Sequence, residues 1–157
     1  MRAAILTQFN KPLIIEELQI PKIKCGQVLV KVINSTICGA QFGHIQGVKI
    51  KEEFLPCLLG HEGGAKVIEI GNGVRTVKKG DKVVMHWRKG SGIESDFPKY
   101  KMNDGTIVGG GLVTTFNDYS IVSENRLTKI DDDVPLDIAS LMGCSVTTGL
   151  GIINNEA

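Results

Sequence analysis

Through the first 130 residues, apolar positions come in short runs that alternate with polar ones, and glycine, asparagine or proline cuts each run. A period of two over four to nine residues marks strands that lay one face on a core. The pattern predicts strands over residues 3–6, 13–19, 27–37, 63–70, 82–86, 118–122 and 127–129. Breaks such as Gly71-Asn72-Gly73 and Lys79-Gly80-Asp81 supply turns between them. Residues 88–111, RKGSGIESDFPKYKMNDGTIVGGG, carry charge, proline and repeated glycine with no sustained period. They read as a long surface loop or lobe, a kind of segment that tends to carry function. After Asp131-Asp132-Asp133 and Pro135 the period lengthens, and LDIASLMGCSVTTGLGII reads as one or two short helices with an acidic start. The expected fold is mainly β with a few short helices and a C-terminal helical segment.

Composition narrows the function classes. A chain of 157 residues buries a real core without metal or disulfide staples. With 18 Lys plus Arg against 17 Asp plus Glu there is no basic footprint for nucleic acid or acidic lipid. The N-terminal MRAAILTQF lacks a signal peptide's apolar run, and no segment reaches the roughly 18 apolar residues of a membrane helix. The expectation is a cytoplasmic chain whose partner is a small molecule, with no nucleic acid and no membrane. Cys25, Cys38, Cys57 and Cys144 lack CxxC pairing, so reduced thiols, some of them metal ligands, are expected rather than a disulfide framework.

Four cysteines and three histidines are the available soft-metal donors. Cys38 follows the apolar run VLVKVINSTI where a strand opens into a loop, His61 stands before the strand AKVIEI, and Cys144 lies in a glycine-flanked turn. Taken singly, a buried cysteine is more often a small core hydrophobe and a His beside a Glu more often a capped or solvated pair. The metal reading therefore rests on the three converging.

The order of four motifs sharpens this: Cys38-Gly39, GHEGGAKVIEIG at 60–71, GDKV at 80–83 and GCSVTTGLG at 143–151. Together they resemble the catalytic domain of the zinc-containing medium-chain alcohol dehydrogenases, over nearly the whole chain. The resemblance implies a GroES-like, partly open β-barrel over residues 1–140. It makes 141–157 the start of a linker to a Rossmann cofactor domain that lies outside this sequence. It also implies that Cys38, His61 and Cys144 hold one catalytic zinc, the two-cysteine, one-histidine set known for alcohol dehydrogenases. Two thiolates and a neutral imidazole leave the site neutral overall with one open position, where an alcohol, aldehyde or ketone oxygen is polarised for hydride exchange with NAD or NADP. By the same resemblance Glu62 tunes the metal from beside His61, Thr148 stands near the cofactor, and the full-length enzyme is a candidate homo-oligomer. A helix-start hydroxyl explains Thr148 as well, and a surface carboxylate paired with lysine explains Glu62 as well.

The chain also departs from that family. Where members carry a hydroxyl and then an Asp, two and three residues past the first ligand, this sequence has Ala40 and Gln41. Ala40 relays no proton, and Gln41 has only a neutral carbonyl for an imidazole N–H. His44, one residue past where some members place a relay histidine, is the candidate substitute, against an ordinary loop histidine. Residues 84–143 contain no cysteine, so no structural zinc is expected. His86, Trp87, Arg88 and Tyr100 either line a substrate pocket or cover the surface, the latter being favoured. Gly149-Leu150-Gly151 fails as a dinucleotide motif, because no hydrophobic strand precedes it and Asn154 replaces the third glycine. Alone, the chain is expected not to turn over. The rival expectation is a zinc-free, non-catalytic structural or binding module on the same barrel.

Overall fold

A computed structural model describes residues 1–156. Its strands are β1 (Arg2–Leu6), β2 (Ile14–Gln19), β3 (Gln27–Ser35), β4 (Cys57–Leu58), β5 (Glu62–Ile70), β6 (Lys82–His86), β7 (Lys99–Met102), β8 (Ile107–Gly109), β9 (Tyr119–Ser123) and β10 (Leu127–Lys129). The helices are α1 (Gly39–Ile45), α2 (Leu136–Ala139) and α3 (Ser145–Glu156). Strands in the order β1-β2-β7-β8-β4 close a barrel, and β10-β6-β5-β3-β9 form a five-stranded sheet. All sheet neighbours are antiparallel; in the barrel β4 and β8 run parallel.

Each sheet is built on its alternating apolar set. Ala3, Ile5, Leu18, Leu58, Tyr100 and Val108 fill the barrel. Val28, Val30, Ala65, Val67, Val83, Met85 and Val122 fill the sheet core. A third cluster of Leu6, Cys57 and Leu59 packs under Ile45 of α1 and Ile50. Fully burying one Val, Leu or Ile is worth about 1.5–3 kcal/mol, so these faces dominate the stabilisation.

One expectation is corrected. Residues 88–111 are not one loop: β7 and β8 lie inside them and complete the barrel. Tyr100 is accordingly wholly buried, its hydroxyl accepting the Ile121 N–H at 2.8 Å, and burial pushes its pKa up to about 12. The overlooked signal is Asp104-Gly105, a hairpin dipeptide: Gly105 has φ +93° and Asp104 Oδ1 accepts the Thr106 N–H at 2.9 Å. Cys38 stands, as expected, where a strand opens into a loop, at the end of the short connection 36–38, and an unexpected helix, α1, begins at the next residue. That helix is too short to display a period.

Candidate metal centre

Cys38, His61 and Cys144, set far apart in sequence, converge so that their donor atoms all lie within 4.8 Å of one another. With Zn–S near 2.3 Å and Zn–N near 2.0 Å, a tetrahedral site has ligand–ligand edges of roughly 3.5–3.8 Å, so these donors need only draw slightly inward. Two soft thiols and an imidazole are a set that suits zinc, and the residues fit the group. Burial lowers the His61 pKa, opposed by Glu62 and reinforced by His44 and Lys49, which favours the neutral imidazole a metal requires. Burial raises the Cys144 pKa, partly offset by Thr148 and reinforced by the nearby Cys38 and Glu62. All three are half-buried.

Each donor is placed by a local device. Cys38 sits between the end of β3 and α1, with extended backbone at φ −114°, ψ 154°. Its N–H donates to Gln41 Oε1 at 2.8 Å, and its carbonyl accepts the Gln41 N–H at 3.0 Å. His61 leads into β5 after Gly60, whose φ is +95° and where a Cβ would stand 2.1 Å from Thr115 Oγ1; no other residue type fits there. Cys144 follows Gly143, which packs so tightly on the sheet that a Cβ would meet the Met85 carbonyl at 2.3 Å and Glu62 Cβ at 2.7 Å. Gly63 and Gly64 open the strand predicted over 63–70. They belong to β5, where a Cβ would strike the Asn34 and Leu136 carbonyls at 2.8 and 2.3 Å.

Glu62 is fully buried and faces neither solvent nor a lysine. Its carboxylate accepts the Cys144 N–H at 2.8 Å, the Ser145 N–H at 3.1 Å and the Ser145 hydroxyl at 2.8 Å. One side chain thus ties the start of α3, and with it Cys144, to the strand led by His61. A carboxylate also complements the positive end of the helix.

Gln41 is buried and its amide bridges the other two ligands. With Oε1 on the Cys38 N–H, its Nε2 stands 2.5 Å from His61 Nδ1. His61 Nε2 is left as the nitrogen free for a metal. His44 Nδ1 lies 2.7 Å from the Ala40 carbonyl. A carbonyl only accepts, so Nδ1 carries the proton and the Nε2 lone pair is free to take another. Thr148 is exposed, with its hydroxyl 3.9 Å from Cys144 Sγ. The remaining thiols stand apart from the triad: Cys25 is exposed, and Cys57 is buried with its pKa raised to about 11 by desolvation.

The centre opens on a cleft of about 470 Å³ lined by Ala40, Gln41, His44, Lys49, Ile50, Leu58, Leu59, Gly60, His61, Trp87, Gly111, Leu112, Val113 and Cys144. Trp87 therefore lines the pocket. His86 instead bonds the Arg88 carbonyl and the Thr128 hydroxyl, at 2.7 and 2.9 Å, and Arg88 lies on the surface. Sequence reasoning missed Lys49 and the Gly111–Val113 wall, which no local motif marks.

A barrel and a five-stranded sheet bring two thiols and an imidazole together beside a cleft with apolar walls, a donor set that could hold a metal ion. The alcohol dehydrogenase GroES-like domain model matches residues 24–132, and the chain belongs to that family. It is 34% identical to an S-(hydroxymethyl)glutathione dehydrogenase of Escherichia coli, over 99% of this chain and 48% of the relative. Its fold matches an alcohol dehydrogenase zinc-binding domain protein of Burkholderia ambifaria with TM-score 0.85 and 22% identity, over 98% of this chain and 48% of the other. It also matches benzyl alcohol dehydrogenase of Acinetobacter calcoaceticus with TM-score 0.79 and 23% identity, over 98% and 47%. The chain spans about half the length of these relatives.

Proposed function

We propose that this chain is the zinc-binding catalytic domain of an NAD(P)-dependent dehydrogenase acting on an alcohol or the corresponding aldehyde or ketone. The observation that carries the reading is the meeting of Cys38, His61 and Cys144 donors within 4.8 Å beside an apolar cleft. Those three residues would hold one zinc, whose chemistry there is to polarise an alcohol or carbonyl oxygen. The chain's own groups do the rest. Glu62 holds Cys144 in place, Gln41 orients the His61 ring, and the apolar walls keep bulk water from the substrate. His44 Nε2 is the proton acceptor proposed in place of the hydroxyl relay that Ala40 lacks. Thr148, beside Cys144, is the cofactor contact proposed from this chain, and the nicotinamide cofactor itself is assigned to a Rossmann domain.

The test is metal content. Protein prepared without chelator should carry close to one zinc per chain, and Cys38→Ser should lose it. A ratio well below one that Cys38→Ser leaves unchanged overturns the proposal. A zinc-free binding module is the second reading, favoured by Gln41: its amide nitrogen, as placed, suits a His61 whose Nδ1 accepts. An Nε2 that keeps its proton in zinc-supplemented protein, read by nitrogen NMR, would select that module.

A further inference from the structure

One charged side chain on the cleft has no part in holding the metal. Lys49 shares the cleft with His61 and Cys144, and among the described residues its ammonium has no ion-pair partner. No Asp or Glu lines that cleft. The lysine is also seated. Gly43 of α1 has no side chain, and a Cβ there would stand 3.0, 3.1 and 3.3 Å from Lys49 Cγ, Cδ and Cε. Three successive methylenes therefore lie against the helix, a stem laid on protein with its charged head free. Ile50, Leu58, Leu59 and Val113 give the same cleft apolar walls. Of the residues that line the cleft, Lys49 is the one Lys, Arg, Asp or Glu, so the charge presented on its walls is positive.

We propose that the cleft selects an alcohol or carbonyl compound whose far end carries an anion, a carboxylate or a phosphate, with Lys49 the specificity-determining residue. This rests on the dehydrogenase reading of the same cleft. An apolar linker in the substrate covers the leucine and isoleucine walls, while its anionic end meets an ammonium that nothing else neutralises. Lys49 is exposed, so solvent screens the pair and the selectivity is modest.

Trp87 is the only tryptophan of the chain and lines the cleft, so its fluorescence reports occupancy with or without metal. The zinc-treated chain is titrated with hexan-1-ol, 6-aminohexan-1-ol, 6-hydroxyhexanoate and 6-hydroxyhexyl phosphate. The anionic probes should bind about three- to tenfold tighter than hexan-1-ol, and the amine more weakly. Preference for either anion supports the proposal, and the tighter one names the group. Lys49→Met should bring the four affinities together, Lys49→Glu should invert their order, and Gly43→Ala, which crowds the stem without altering charge, should blunt it. Equal affinities in the native chain, or an anion preference that survives Lys49→Met, overturn the proposal. Zinc per chain, measured on the same samples, separates the two claims. Full zinc with no charge preference removes Lys49's role alone, and a charge preference without zinc removes the dehydrogenase reading alone.

Discussion

Two buried glutamates do the same chemistry at opposite ends of the sheet. Glu62 and Glu124 are 0% and 2% exposed, and each carboxylate accepts three hydrogen bonds from residues distant in sequence. Glu62 receives two N–H groups and a hydroxyl from Cys144 and Ser145. Glu124 receives the N–H groups of Arg75, Thr76 and Ile93 at 2.6, 2.8 and 2.8 Å. The difference lies in what each segment carries. Around Glu124 it is a lobe with no cysteine or histidine, further tied by Arg126 to Glu94 and by Ser123 to Ser95. Around Glu62 it is a thiol that stands within 4.8 Å of two other donors. A buried carboxylate that organises backbone amides is thus used once to hold a lobe without cysteines and once to aim a ligand.

The largest effect that would break this comparison is expected at Glu124. Glu124→Ala leaves three amides without their acceptor and should cost about 3 kcal/mol in urea unfolding, with zinc affinity little changed. A drop in zinc affinity equal to that of the Glu62 variant below would mean that the two corners are not separable. Acid should reach the same lobe by another route. Burial pushes the Glu124 carboxyl up, but the Arg75, Ile93 and Thr76 amides outweigh it and its pKa lies below the ordinary glutamate value. The stabilisation is therefore present above the unfolded pKa of about 4.3 and is lost as pH falls through the lower folded value. Hydrogen exchange at the Arg75, Thr76 and Ile93 amides should quicken there, and should not do so in Glu124→Gln.

At the other corner the balance is expected to reverse. Glu62→Gln keeps the shape and one acceptor oxygen but presents an NH2 to donors that need an acceptor. Zinc affinity should fall about 10- to 100-fold, the range typical of groups that orient metal ligands, while unfolding changes by only about 1 kcal/mol. Competition against a chromophoric chelator measures the first and urea the second. An unchanged zinc affinity would reduce Glu62 to a second structural staple.

The alternation of apolar positions made seven of the ten strands legible, because each long strand lays one face on the core. It missed β4, β7 and β8, of two, four and three residues, and the seven-residue α1, where a short element amid glycine and charge shows no sustained period. The three donors were legible as a family pattern and not as geometry, since their convergence depends on Gly60 and Gly143 letting backbone approach backbone. The bonding of Glu62 and the seat of Lys49 were invisible, because both partners are distant in sequence. Gln41 lies between these cases: its chemical deficit was legible, but the identity of its second partner was not.

That deficit gives the smallest expected effect and the one that most sharpens how the centre is tuned. Gln41 has a single carbonyl, and two groups call on it. The Cys38 N–H uses it now, at 2.8 Å, and a His61 bound to metal through Nε2 would carry a proton on Nδ1 that also needs an acceptor. An amide cannot serve both, because its other end is a donor. Gln41→Glu preserves size and supplies a second acceptor oxygen, so zinc affinity should rise, by about tenfold. Added negative charge alone would also raise it, so the discriminating measurement is the His61 tautomer in metal-free protein by nitrogen NMR. The native chain should hold the proton on Nε2 and Gln41→Glu should hold it on Nδ1. A native chain already protonated on Nδ1 would show that Gln41 releases Cys38 in favour of the histidine, which would move the cost of metal binding from the imidazole to the start of α1.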